Sequence, residues 1–234
     1  MSLLNSMLFS TILSADSWEL FKSSLLPMIT GGIKYTIPLT LIAFVVGLLL
    51  ALLTAMMRIS SIRIVRIPAI IYVSAVRGTP LLVQLFIVFY GLPNLDIKID
   101  PFPSAIIAFS LNVGAYASEI IRASILSIPK GQWEAGYTIG MTRTTTLRRI
   151  ILPQATRVSI PPLSNTFISL VKDTSLASLI LVTELFRKAQ EIAARTYEFL
   201  LLYVEAALLY WVICFLLSLI QEVIERRLEK YAAK

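Results

Sequence analysis

Five ionisable side chains, Arg77, Glu119, Lys172, Asp173 and Glu205, stand inside long apolar stretches of this sequence. Placing such a group at the middle of a membrane helix costs roughly 2.5–3.5 kcal/mol, so each should face a partner or a polar cavity. The chemistry they suit is noncovalent recognition of a charged or dipolar solute. Asn112, Tyr116 and Glu119 recur at steps of four and three residues, which puts them on one helix face. Arg122 lies one turn further on, so Glu119 can either contact a solute or pair with Arg122. Two polar breaks add candidates: Gly78-Thr79-Pro80, with Gln84 one turn later, and Asp173-Thr174-Ser175. A break frees backbone carbonyls that lipid cannot satisfy, so each break either lines a cavity or is a kink satisfied by neighbouring helices. The candidate substrate-binding set is therefore Thr79, Gln84, Asn112, Tyr116, Glu119, Asp173, Ser175 and Glu205. For Glu205 three roles stay open: a pair with Arg77 or Lys172, hydrogen-bonded packing, or attraction of a cationic side chain together with Glu119.

Covalent chemistry has little to work with. There is no His, and Cys214 is the one cysteine, which removes intrachain disulfides and the usual zinc or copper ligand sets. No nucleophile and base pair stands out, so no catalytic residue and no metal ligand is assigned. A Gly-x-x-x-x-Gly-Lys-[Ser/Thr] loop is also missing, so ATP must bind a separate chain if it is used at all.

The elements that position these residues follow from composition. The chain has 234 residues, 57% hydrophobic and 15% charged, with a mean hydropathy of +0.80. That is more apolar surface than one soluble core of this size buries. An all-α integral membrane fold is implied, with about five spans over 31–57, 67–92, 104–121, 158–172 and 199–220. Residues 1–30 read as an amphipathic N-terminal segment ahead of a membrane domain over 31–234. Residues 174–183 are too short to cross and read as a re-entrant piece, and 184–198 as a mixed loop. The polar stretch 122–157 should be a structured internal loop. Arg58, Arg63, Arg66, the basic residues of that loop, Arg226, Arg227, Lys230 and Lys234 fall on one side of this arrangement. That side is then cytoplasmic, with the N-terminus outside and the C-terminus inside. The net charge of +7 reflects this bias and does not call for nucleic acid.

Within 122–157, Trp133, Tyr137 and Met141 make an apolar stripe on a short helix, and Thr142 or Thr144 can cap a second one that Pro153 ends. Such a stripe fits a groove in another protein or the lipid headgroups. The surrounding residues resemble a known motif. Glu134-Ala135-Gly136, then Gly140, then Ile150-x-Leu152-Pro153 is similar in every spacing to the EAA motif of type I ABC importer membrane subunits, with Gly136 in place of the second Ala.

Arg77-Gly-Thr-Pro-Leu-Leu-Val-Gln84, Ala115-Tyr116 with Glu119 and Arg122, Lys172-Asp-Thr-Ser-Leu176 and Glu225-Arg-Arg-Leu228 narrow the resemblance to the polar amino acid permeases. Ala123 departs from that family's Gly.

The resemblance implies that Gln132, Trp133, Glu134, Ala135, Gly136, Tyr137, Gly140 and Met141 couple to an ATP-binding cassette ATPase. ATP and Mg would sit on that partner, with no cofactor on this chain. It also implies a second permease copy or paralogue and an extracellular or periplasmic amino-acid-binding protein, in a bacterial inner membrane. The substrate would be a polar, and on the carboxylate argument cationic, amino acid. The competing expectation is an ion-coupled secondary carrier, which has no use for a docking helix in the internal loop.

Overall fold

The computed structural model describes residues 15–232, and all regular structure among them is helical. The expected apolar segment at 7–13 lies outside the described residues. From Ala15 onward the chain does not form a separate surface segment. Helix α1 (Ala15–Gly31) runs through a π-turn (Gly32–Thr36) directly into α2 (Ile37–Ile59). Pro38, in the first turn of α2, cannot donate a backbone hydrogen bond, and the widened turn sits just before it. The stretch Asp16–Ile59 is thus 44 residues of continuous helix, about twice what a bilayer core requires.

Three helices are long and apolar enough to cross a membrane, and the number rises to five if each of two bent pairs counts as one crossing. The first bent pair covers the expected span over 67–92 and carries the expected break at Gly78-Thr79-Pro80. Helix α3 (Arg63–Arg77) and α4 (Leu81–Phe86), which continues as helical turns to Leu95, meet at 106°. Pro80 is extended, at φ −63° and ψ 138°, so the helix stops rather than kinks. Helix α5 (Pro101–Ser127) is the centre of the bundle and packs along α2. The contact is made by small residues, Ala43, Gly47 and Ala51 against Ser110, Val113 and Ala117, all buried. A Cβ on Gly47 would stand 2.6 Å from Val113 Cγ1, so this approach needs glycine.

The internal loop is largely helical: α5 itself extends to Ser127, then come α6 (Lys130–Thr138) and α7 (Arg143–Thr146). Thr142 caps α7, its Oγ1 accepting from Thr145 N at 3.3 Å. Pro153 does not end this second helix as expected. A π-turn (Leu147–Ile151) leads into α8 (Leu152–Asp173), where Pro153 sits in the first turn and needs no donor.

The expected break at Lys172–Thr174 is also absent, because α8 passes into a 3-10 helix (Thr174–Ile180) without unwinding. Thr174 Oγ1 donates to Val171 O and Ser175 Oγ to Lys172 O, each at 2.7 Å, so both hydroxyls are satisfied within the helix. The turn comes later, at left-handed Leu181 (φ 69°). The expected loop over 184–198 is α9 (Leu185–Thr196), inclined 47° to the preceding stretch.

Glu184 explains why α9 forms. Fully buried, its carboxylate accepts from Phe186 N at 2.9 Å, Arg187 N at 2.6 Å and Tyr210 Oη at 2.7 Å. It thus caps α9 and ties it to the last helix, α10 (Phe199–Ala232). Thr36 Oγ1 accepts from Leu185 N at 3.3 Å, which joins the π-turn to the same corner.

Candidate translocation site

A cavity of about 570 Å³ opens where the α3–α4 corner, α5 and α8 meet. Thr79, Asn112, Tyr116, Glu119 and Asp173 line it, which unites five of the eight candidate residues. The α3–α4 corner brings Arg77 and Thr79, the polar face of α5 brings Asn112, Tyr116 and Glu119, and α8 brings Asn165, Thr166, Ser169 and Asp173. Apart from Asp173, the α8 residues are additions to the candidate set. Their signal is in the sequence, since Asn165, Ser169 and Asp173 fall at steps of four on one helix face.

Three candidates lie elsewhere. Gln84 braces the wall: its Nε2 donates to Val76 O at 2.7 Å and reaches Thr79 O and Oγ1 at 3.1 and 3.0 Å, while its Oε1 accepts from Asn112 Nδ2 at 3.0 Å. That bond holds Asn112 against the α3–α4 corner. Ser175 lines a different cleft, with Lys172, Tyr210 and Trp211. Glu205 is 1% exposed and pairs with neither Arg77 nor Lys172. Its Oε2 accepts from Ser24 Oγ at 2.6 Å, which pins α1 to α10. Sequence spacing could not reveal this, because the partner is 181 residues away.

Glu119 is the hub of a cluster larger than expected. Arg122 donates to it at 3.2 Å, Arg77 approaches it at 3.8 Å, and Arg58 forms a third ion pair with it. These arginines come from the ends of α2, α3 and α5, so one carboxylate ties three helices. Their guanidiniums outnumber it. Arg77 is the most open of the three, 43% exposed against 18% for Arg58, and its guanidinium lies 5.3 Å from the Tyr116 ring centroid. The cavity is therefore dipolar, with surplus positive charge at Arg77 and the Asp173 carboxylate on α8.

At the other candidate region, α6 does not present the expected continuous stripe. Trp133 packs inward with Ile125, Ile151 and Ala155, and the helix ends before Met141. The surface offered is instead Gln132, Glu134, Ala135 and Gly140 with the apolar Tyr137 and Ile139, which are 47% and 70% exposed. Gly136 faces the opposite way, buried on α7, where a Cβ would meet Thr146 Cγ2 at 2.5 Å and Oγ1 at 2.7 Å. The second Ala of the motif is thus excluded by Thr146. Gly136→Ala should separate α6 from α7 and lower the melting temperature of the purified chain, and adding Thr146→Ala should restore most of the loss. A single variant as stable as the parent would show that the two helices do not hold each other.

Residues 47–230 match the family model described as "Binding-protein-dependent transport system inner membrane component". The chain is 66% identical over 232 residues to the L-cystine transport system permease protein TcyB of Bacillus subtilis (strain 168), covering 99% of each. It is 38% identical to the glutamine transport system permease protein GlnP of Escherichia coli (strain K12), over 87% of this chain and 94% of that one. Among solved structures, that of an amino acid ABC transporter with histidines superposes with a TM-score of 0.86 at 35% identity, covering 92% of this chain and 100% of the other.

Proposed function

This chain belongs to the family of binding-protein-dependent transport system inner membrane components, and from that premise we propose that it is the permease subunit of an ATP-driven importer of amino acids, with L-cystine as the leading substrate. The chain is a multi-pass protein of the inner membrane and has the type I importer permease fold. The observation that carries the substrate reading is the dipolar cavity, which faces Arg77 and Asp173 into one space. A zwitterion has a carboxylate for the guanidinium and an ammonium for the carboxylate, and the similarity to the cystine permease favours a substrate with two such ends. The cationic preference loses its support, because it required Glu119 and Glu205 to face one solute. Glu119 is held by three arginines, and Glu205 lies against Ser24.

The chain supplies no motor. The α6–α7 unit docks an ATP-binding cassette ATPase, which carries the ATP and Mg, and Tyr137 and Ile139 enter its surface. A second permease copy or paralogue completes the pathway, and an extracellular or periplasmic binding protein delivers substrate. The basic residues near the ends of α2, α5 and α10 support a cytoplasmic α6–α7 side with the N-terminus outside. An ion-coupled carrier would leave Tyr137 and Ile139 without a purpose.

Purification of the tagged chain from its native membrane tests this reading. An ATPase subunit should accompany the parent and be lost from Tyr137→Asp, which changes an exposed side chain and spares the fold. A parent that purifies without an ATPase, or a variant that keeps it in full, would overturn the docking role.

A further inference from the structure

A second cavity, of about 520 Å³, lies between the 3-10 helix, α9 and the start of α10. Two polar atoms cut off from solvent and without a partner among the described residues belong to residues that line it, Ser178 Oγ and Gln190 Oε1; a third, Arg187 Nε, makes no hydrogen bond and meets only Glu191 Oε1, at 3.5 Å. Ser178 is 1% exposed. Leaving such an atom unmet costs about 1–3 kcal/mol, more where it is charged. Two of them at one cavity, beside a guanidinium whose Nε has only a long ion pair, are better explained by a ligand that meets them than by chance. The three groups form a complementary set, since Arg187 Nε can only donate, Gln190 Oε1 can only accept and the Ser178 hydroxyl can do either. Glu191, which Arg187 Nε faces at 3.5 Å, is shared with Lys188 at 2.8 Å. Arg195 lines the same space, so the lining carries two guanidiniums and one carboxylate, with Phe199 and Tyr203 as an apolar wall.

We propose that this cavity is a second site for a zwitterionic amino acid, set apart from the α5–α8 cavity. Its carboxylate would lie on Arg187 and Ser178, its ammonium on Gln190 and Glu191, and its side chain against Phe199 and Tyr203. The inference rests on the permease reading for its ligand class and for the outward position of α9. On that reading, the site receives substrate before it reaches the Arg77–Asp173 cavity.

The test is made on the whole transporter, purified with its partner subunits and reconstituted in lipid. Leu179, which lines this cavity and is 43% exposed, is replaced in the form Leu179→Cys in a Cys214→Ser background and labelled with a thiol reagent. L-glutamine is the probe, because L-cystine itself exchanges with thiols. L-glutamine should slow labelling severalfold, and its analogue lacking the α-carboxylate should not. Protection should disappear with Gln190→Leu or Arg187→Leu and persist with Asp173→Asn, which acts on the other cavity. No protection in the parent, or protection indifferent to Gln190→Leu, overturns the site. Protection seen only when the binding protein is added, and equally without any amino acid, makes the cavity a protein docking surface and also overturns it. If uptake fails with Asp173→Asn while protection by L-glutamine persists, the two cavities are separately established. If uptake is untouched by Asp173→Asn while protection persists, the α5–α8 reading fails and this one stands.

Discussion

Glu119→Ala is expected to abolish transport and to lower the melting temperature of the purified chain. The substitution leaves Arg58, Arg77 and Arg122 facing one another at the ends of three helices, with no carboxylate between them. Removing one partner of a buried ion pair costs about 3–5 kcal/mol. Here the pairs are partly open to solvent, with side chains 18–43% exposed, so on the order of 2 kcal/mol is the better expectation. Glu119→Gln keeps the shape and loses the charge. It should therefore disturb the cluster nearly as much as the alanine, and combining it with Arg58→Gln should recover part of the stability by removing one of the repelling cations. Thermal unfolding in detergent and uptake into proteoliposomes read the two effects. Equal stability of Glu119→Gln and the parent would show that the cluster is surface decoration and not a clasp on α2, α3 and α5.

Helix identity and the composition of the polar face are legible in the sequence because both rest on short-range periodicity. Asn112, Tyr116 and Glu119 share a face by spacing alone, and they share one cavity in the fold. The α8 stripe of Asn165, Ser169 and Asp173 is equally readable, but charged residues draw attention first. Of the two polar breaks expected, one occurs and the other does not. Gly78-Thr79-Pro80 turns the chain through 106° because Pro80 adopts an extended conformation. Asp173-Thr174-Ser175 leaves the helix intact because each hydroxyl bonds to a carbonyl three residues back. The same residue types can stop a helix or decorate one, and the proline decides.

Long-range pairings are beyond the reach of the sequence. By position alone, Glu184 looks like a loop charge and Glu205 like a pathway carboxylate. Glu184 instead caps α9 and receives Tyr210, while Glu205 takes the hydroxyl of Ser24. Arg58 lies among the basic residues that flank a span and Arg77 beside a helix break, yet both converge on Glu119. The α6–α7 region is legible in its motif and less so in its exposure. Trp133 turns inward, and Ile139 turns out although nothing in the stripe pattern marks it.

The central claim is that the cavity between α3, α5 and α8 binds the transported zwitterion. Initial rates of ATP-driven L-cystine uptake into proteoliposomes holding the whole transporter test it most directly, comparing the parent with Asp173→Asn and Glu205→Gln. Losing one charge-assisted contact of about 1.5–3 kcal/mol should raise the KM for Asp173→Asn by about tenfold or more. Glu205→Gln, whose side chain lies against Ser24 outside the cavity, should leave the KM where it was. An unchanged KM in Asp173→Asn, or a KM that rises with Glu205→Gln instead, would contradict the assignment and move the substrate to another part of the bundle.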